Sequence, residues 1–263
     1  MRTSASTGTL LAAASALGGV AALFVLRRAR RRADAPDGPD PDHAAVVSPE
    51  DTLCLIRHRR SIFPKQYTGG AVPDEVVSDM LEAARWAPTH KLTEPWRFVV
   101  LKTDQAREGL GSFLAEQYRE SQLATGKEVV PAKFEKKKKN AALASHVIAI
   151  VVDSGGKGQK ASNPFIEEVA SVSMAVQNMY LVAAAHGVGV YWSSGAVHAK
   201  GGSVSKYSRG DTFLSQFNAE MRTFVGLEES QQCLGWLFVG EFDTSKKWPK
   251  GSRKPLDSRV HWR

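Results

Sequence analysis

Cysteine is almost missing from this chain: among 263 residues only Cys54 and Cys233 occur. Two thiols so far apart make neither a disulfide framework nor a cysteine-based metal site. Both lie in apolar surroundings, which predicts buried free thiols in a reducing compartment, and no metal ligand set is expected. Phosphate-binding signatures are missing as well. There is no GxGxxG, and Gly155, Gly156 and Gly158 follow an apolar run without the spacing or the Lys-Ser/Thr ending of a P-loop. A dinucleotide-binding Rossmann domain is therefore not expected.

Charge is absent from Ser4 to Leu26, and no acid precedes Asp34, whereas six arginines do (Arg2, Arg27, Arg28, Arg30, Arg31 and Arg32). The formal net charge of +8 comes largely from these arginines and from the run Lys136 to Lys139. Neither cluster interleaves basic residues with aromatics on a folded face, so no nucleic-acid partner is expected. The lysine run reads as the solvated face of a surface helix.

The uncharged segment is near the roughly 20 residues needed to cross a bilayer. With RRARRR directly after it, residues 1–33 read as a membrane anchor that leaves the rest of the chain on the cytosolic side. Arginine, serine and the lack of acids also suit an organelle transit peptide. Residues 34–48, rich in Pro, Asp and Gly, read as a solvated linker. Residues 49–263 form the folded domain.

Within it, helices are expected over Pro49 to His58, with Leu53, Leu55 and Ile56 toward a core, and from Pro73-Asp74-Glu75 through Ala84. Further helices are expected over 104–124, over AKFEKKKKNAALAS, from Asn163 to His186 with Gly187 as its cap, and from Asp211 to Met221. Strands are expected at Trp96 to Leu101, HVIAIVVD, VGVYW and LGWLFVGEF. Helices and strands mix without a βαβ repeat, which predicts an α+β layer fold. The basic tail reads as running over the surface or along a partner subunit.

Three stretches suit a ligand. Arg57 to Ser61 (RHRRS) places three arginines and a serine at a helix exit, where they suit an anion or complement a solvated helix end. The stretch APTHKLTEPWRFVVL, Ala87 to Leu101, holds a loop stiffened by Pro88 and Pro95; it suits a planar ligand or is an ordinary connection. Ser193-Ser194-Gly195-Ala196 directly after a core strand offers donors or a plain turn. No side-chain nucleophile or acid–base pair stands out.

In order along residues 49–259, the segments RRS (59–61), AARWAPTHKLTEPWRFVVL, AVQNMYLVAAAHGVGVYWSSG, LGWLFVGEF and RKPLD resemble the nitroreductase family of flavoproteins, most of all its compact bacterial members. TEPW and RKPLD are also similar to the membrane-anchored iodotyrosine deiodinase branch, although this chain has HK where that branch has a small-residue turn. The resemblance implies a mostly antiparallel central sheet wrapped by helices and an intertwined homodimer with FMN at the subunit interface. It implies that Arg59, Arg60 and Ser61 hold the FMN phosphate and ribityl chain, and that Trp86 and His90 contact the flavin. Trp192, Ser193 and Ser194 would contribute from the strand end, and Arg253 from the tail. Val182, Ala183, Ala184, Ala185, His186 and Gly187 would lie where NAD(P)H is received. Trp86 departs from the Arg or small residue common at its position. The implied activity is hydride transfer from NAD(P)H through FMN to nitroaromatics, quinones or related small acceptors. The alternatives are reductive dehalogenation and membrane-tethered flavin binding without turnover.

Overall fold

In the computed structural model, which describes residues 47–155, 163–194, 220–245 and 248–263, β1 (Trp96–Leu101), β2 (His146–Asp153), β3 (Gly189–Ser193) and β4 (Gln231–Gly240) form one antiparallel sheet in the order β1-β2-β4-β3. The helices are α1 (Pro49–His58), α2 (Asp74–Arg85), α3 (Asp104–Ala124), α4 (Pro131–Leu143) and α5 (Phe165–Ala185). The fold is α+β.

β2 is the centre. It has antiparallel neighbours on both sides, and seven of its eight residues are buried, which is why HVIAIVVD reads as an unbroken apolar run. Side chains alternate across the pleat. Ile148, Ile150 and Val152 face a core shared with Met80 of α2 and Val172, Val176 and Met179 of α5. Val147, Ala149 and Val151 face a second core with Leu110 and Leu114 of α3 and Ala141 of α4. Each fully buried aliphatic side chain contributes about 1.5–3 kcal/mol, so helices cover both faces.

The two helix pairs are fixed differently. On α3, a Cβ at Gly111 would lie 3.0 Å from Cα of Lys138, so the missing side chain lets α3 and α4 approach closely. The α2–α5 pair is pinned by polar contacts: Asn178 Nδ2 donates to the Ala83 carbonyl at 3.0 Å, and His186 Nε2 lies 3.0 Å from Asp79 Oδ2.

One irregularity shapes the site. Opposite Ile150 and Val151, β4 shifts register so that Leu234 is an extra residue, and Gly235 takes a φ of 137°. A Cβ there would meet the Ser193 carbonyl oxygen at 2.5 Å, so only glycine allows the end of β3 to lie against the bulge.

Several expectations need correction. α1 has the expected bounds, but it buries no residue: Leu53 is 47% and Ile56 44% exposed, and Leu55 is half-buried. Among the described residues no layer covers its apolar stripe. Cys54 on the same helix is exposed for the same reason, and only Cys233 is a buried thiol. α5 begins at Phe165, after Pro164, and β3 is shifted one residue beyond VGVYW. β4 starts earlier than LGWLFVGEF, at Gln231, and ends at Gly240; Phe242 still bridges to Tyr67. The helix expected over Asp211 to Met221 falls mostly outside the described residues, and the helical residues 220–225 carry it past Met221. The apolar segment, RRARRR, Gly156, Gly158, Gly195 and Ala196 also lie outside them. Among the described residues no helix is long and apolar enough to cross a membrane.

Candidate functional site

Four of the expected residues are organised around the segment that leaves α1. The Arg59 amide closes the helix on the Leu55 carbonyl at 3.0 Å, and three residues on the Ile62 amide donates to the Val190 carbonyl of β3 at 2.9 Å. The chain from 59 to 61 is thereby held between a helix end and an edge strand. Arg59 and Ser61 turn toward α5. The Arg59 guanidinium lies 5.1 Å from the Tyr180 ring centroid, a cation–π distance. The Tyr180 hydroxyl accepts the Trp192 backbone N–H at 2.6 Å. Burial pushes the Tyr180 phenol above its ordinary value, partly offset by the neighbouring Ser61 hydroxyl, the Trp192 N–H and Arg59.

Arg60 does something else. Its Nη1 donates to the carbonyls of Arg57 (2.5 Å) and Arg59 (2.7 Å), and its Nε donates to the Pro249 carbonyl at 2.8 Å. It fastens the tail to the α1 exit. Trp248 completes the clasp: its ring stacks on His58 with centroids 4.3 Å apart, and its Nε1 donates to the His58 carbonyl at 2.8 Å. Arg253 follows a few residues later, exposed, with Nη1 on the Ser252 carbonyl at 2.7 Å.

The end of β3 stands beside this cluster. Trp192, Ser193 and Ser194 are half-buried. The Trp192 indole Nε1 reaches the Leu234 carbonyl at 3.4 Å, so the bulge and the strand end support each other.

Trp86 and His90 belong to a separate group. Trp86 is 61% exposed, with Nε1 on Glu82 Oε1 at 2.8 Å and the Arg85 guanidinium 5.6 Å from its ring. His90 Nδ1 lies 2.6 Å from Glu167 Oε2. Asn163 Nδ2 donates to the His90 carbonyl at 2.9 Å, and the Thr93 hydroxyl donates to buried Glu168 at 2.8 Å. The loop is thus docked on the first turn of α5. Lys91, Leu92 and Glu94 all have positive φ (54°, 53° and 44°), a conformation that costs of order 1–3 kcal/mol for each non-glycine residue. Glu167 precedes Tyr180 by thirteen residues on α5, about 20 Å along the axis at 1.5 Å per residue. One chain does not bring His90 to Arg59.

The stretch Val182 to Gly187 closes α5. Ala183 is fully buried in the core, Val182, Ala184 and His186 are half-buried, and Ala185 and Gly187 are exposed. Gly187 has the φ of 70° expected of a helix cap.

Sequence reasoning missed Tyr180 and Trp248. Tyr180 lies beside Met179 at helical spacing and passes for core, but a phenol at a buried position needs a partner, which is the signal that marks it. Trp248 sits in a basic, Pro-interrupted tail, and nothing local shows that it folds back.

Fold and cluster together define an α+β protein with a cationic, hydroxyl-bearing cluster beside one edge strand of its sheet. Residues 56–241 match the Nitroreductase family, and the chain belongs to that family. YfhC of Bacillus subtilis (strain 168), named as an NAD(P)H nitroreductase, is 32% identical over 146 residues, covering 54% of this chain and 69% of YfhC. YdjA of Escherichia coli (strain K12), named likewise, is 31% identical over 190 residues, covering 72% of this chain and 87% of YdjA. A crystal structure from Desulfovibrio desulfuricans, described as a nitroreductase in complex with FMN, has the same fold. It aligns with a TM-score of 0.54 at 24% identity and covers 83% of this chain and 98% of that one.

Proposed function

We propose that this protein reduces electron-poor small molecules, nitroaromatics or quinone-like compounds, with electrons taken from NAD(P)H through FMN. The chain is an NAD(P)H-dependent flavin oxidoreductase. Its family, the NAD(P)H nitroreductase names of YfhC and YdjA, and the FMN of the Desulfovibrio protein support that class. When bound, FMN supplies the redox chemistry, accepting hydride and passing electrons on. The chain's residues bind, orient and shield it.

The observation that carries the reading is the Arg59–Tyr180–Ser61–Trp192 cluster. Arg59 is a half-buried cation with no carboxylate partner among the described residues, and a hydroxyl stands beside it. A partly desolvated guanidinium next to a hydroxyl fits a phosphate, which it holds more strongly than at an open surface. Arg59 and Ser61 take the phosphate end in this reading. Arg60 supports them through the tail, and Arg253 adds positive charge nearby. Trp192, Ser193 and Ser194 line the path toward the ring.

Trp86 and His90 come to that site from a second copy of the chain. Their docking about 20 Å along α5 from Tyr180 supports this. So do the uncovered stripe of α1 and the exposed Phe165, Ile166 and Met174 of α5, which suit a homodimer interface. Val182 to Gly187 face NAD(P)H in the assembled site through exposed Ala185 and Gly187. Residues 1–33 tether the domain at a membrane, with 34–48 as linker; recovery of full-length protein in the supernatant after alkaline carbonate extraction of cells contradicts the tether.

The acceptor assignment is tested by single-turnover reoxidation. Full-length FMN-loaded protein, reduced anaerobically with one equivalent of NADPH or NADH, is mixed with a nitroaromatic or a benzoquinone. Flavin colour returns many times faster than in anaerobic buffer. Equal rates with and without acceptor refute the assignment.

A further inference from the structure

On the face of the sheet opposite Tyr180, α3, α4 and the short turn Pro64–Gln66 border a groove of about 830 Å³. Small-molecule sites occupy volumes of this order. One side of α4 supplies Glu135, Lys136, Lys138 and Lys139, Glu108 of α3 lies across from them, and Lys65 comes in from the turn. Four ammonium groups and two carboxylates thus share the lining, which leaves a formal excess of two positive charges. Glu135 is the neighbour of Lys138, 3.9 Å from its Nζ, and that ammonium also stands 4.8 Å from the Phe134 ring centroid. Lys65, Lys136 and Lys139 are in no ion pair among the described residues.

Like charges three residues apart on a helix repel. The crowding reaches half-buried Lys137, whose ammonium is held below its ordinary value by burial first and by Lys136 second. On a merely solvated helix face the side chains would be free to diverge. Here a second element adds Lys65 to the same concavity, and a concave surface of one sign focuses its field on whatever enters. The flavin site uses none of these residues. We propose that this groove is a second ligand site and takes a phosphate-bearing anion. Lys65, Lys136 and Lys139 meet the phosphate oxygens as point charges, and Glu108 weakens the hold. The excess of positive charge matches a phosphate monoester or a diphosphate better than a monocarboxylate. Such a phosphate belongs to a free small molecule or to a lipid headgroup, and the test separates the two.

Full-length, FMN-loaded protein is acetylated with an N-hydroxysuccinimide ester, and each lysine is followed by mass spectrometry. Saturating inorganic pyrophosphate slows Lys65, Lys136 and Lys139 about tenfold and leaves exposed Lys127 unchanged. By calorimetry with FMN in excess, Lys65→Gln with Lys139→Gln weakens pyrophosphate about tenfold or more, and Glu108→Gln tightens it about threefold. FMN affinity is the same in all of them. Phosphatidylcholine vesicles with phosphatidylglycerol are the second probe. If they protect the three lysines beyond phosphatidylcholine alone, and pyrophosphate does not, the headgroup is the source. Protection by neither probe, or equal protection of Lys127, overturns the site. So does a doubly substituted protein that keeps wild-type affinity for the probe that protects. The lysine pattern is read with or without bound flavin, so a failed flavin assignment leaves this result standing.

Discussion

The His58 and Trp248 rings stack at 4.3 Å with 13° between their planes, and the same indole donates to the His58 carbonyl. Residues 190 positions apart thus hold the turn from which Arg59 and Ser61 project. Trp248→Ala removes a half-buried aromatic and one hydrogen bond. It lowers stability by about 1–3 kcal/mol and weakens FMN binding, because the α1 exit loses its brace. Urea unfolding and flavin fluorescence measure the two effects. Weakened stability with unchanged FMN affinity contradicts the link between tail and cradle.

Gly235 stands at the β4 bulge with its Cα against the Ser193 carbonyl. In Gly235→Ala the new Cβ meets that oxygen at 2.5 Å and the Trp192 Nε1 at 2.7 Å, at a φ of 137° that side chains rarely adopt. Destabilisation of about 2–3 kcal/mol follows from overpacking and backbone strain, read as a shift in the urea midpoint.

Leu92 is 82% exposed at a φ of 53°. Leu92→Gly removes strain at the expense of unfolded-state entropy, so its midpoint stays within about 1 kcal/mol of wild type. Leu92→Val places a β-branched residue in the left-handed region and destabilises by about 1–2 kcal/mol. Equal effects of the two substitutions contradict the observed backbone.

These positions show how far sequence carries. β2 was legible as an unbroken apolar run, and α2 and α3 because helical apolar spacing coincides with burial inside one chain. α1 has an equally good apolar stripe, yet periodicity alone does not say which surface covers it, and among the described residues no element does. Arg59 and Ser61 stand out in the sequence as residue types at a helix exit. The separate fate of Arg60 does not, because it depends on a carbonyl at Pro249, and the bulge at Gly235 shows itself only through its pairing with β2.

The Asp74 carboxylate is held below its ordinary value of 3.8 by its hydrogen bond from Lys102 first and from His146 second. A depressed folded-state pKa contributes stability that is present above the unfolded value and lost as pH falls below it. Asp74→Asn therefore melts below wild type at pH 6, and the gap closes below about pH 3.8. A gap that persists unchanged at pH 3 contradicts this.

Cys233 is buried beside the bulge, and burial pushes its thiol up to about 11. In a Cys54→Ser protein, Ellman's reagent at pH 8 finds no reactive thiol in the native state and one in denaturant. Rapid native labelling contradicts the packing of β4.

The central claim is that this chain binds FMN and accepts electrons from a reduced nicotinamide. Visible absorption of the full-length protein with FMN, recorded before and after anaerobic NADPH or NADH, tests it in one cuvette. The account predicts a yellow protein that retains its flavin through gel filtration and bleaches with at least one donor. A protein that emerges colourless after incubation with FMN, or stays yellow with both donors, contradicts it.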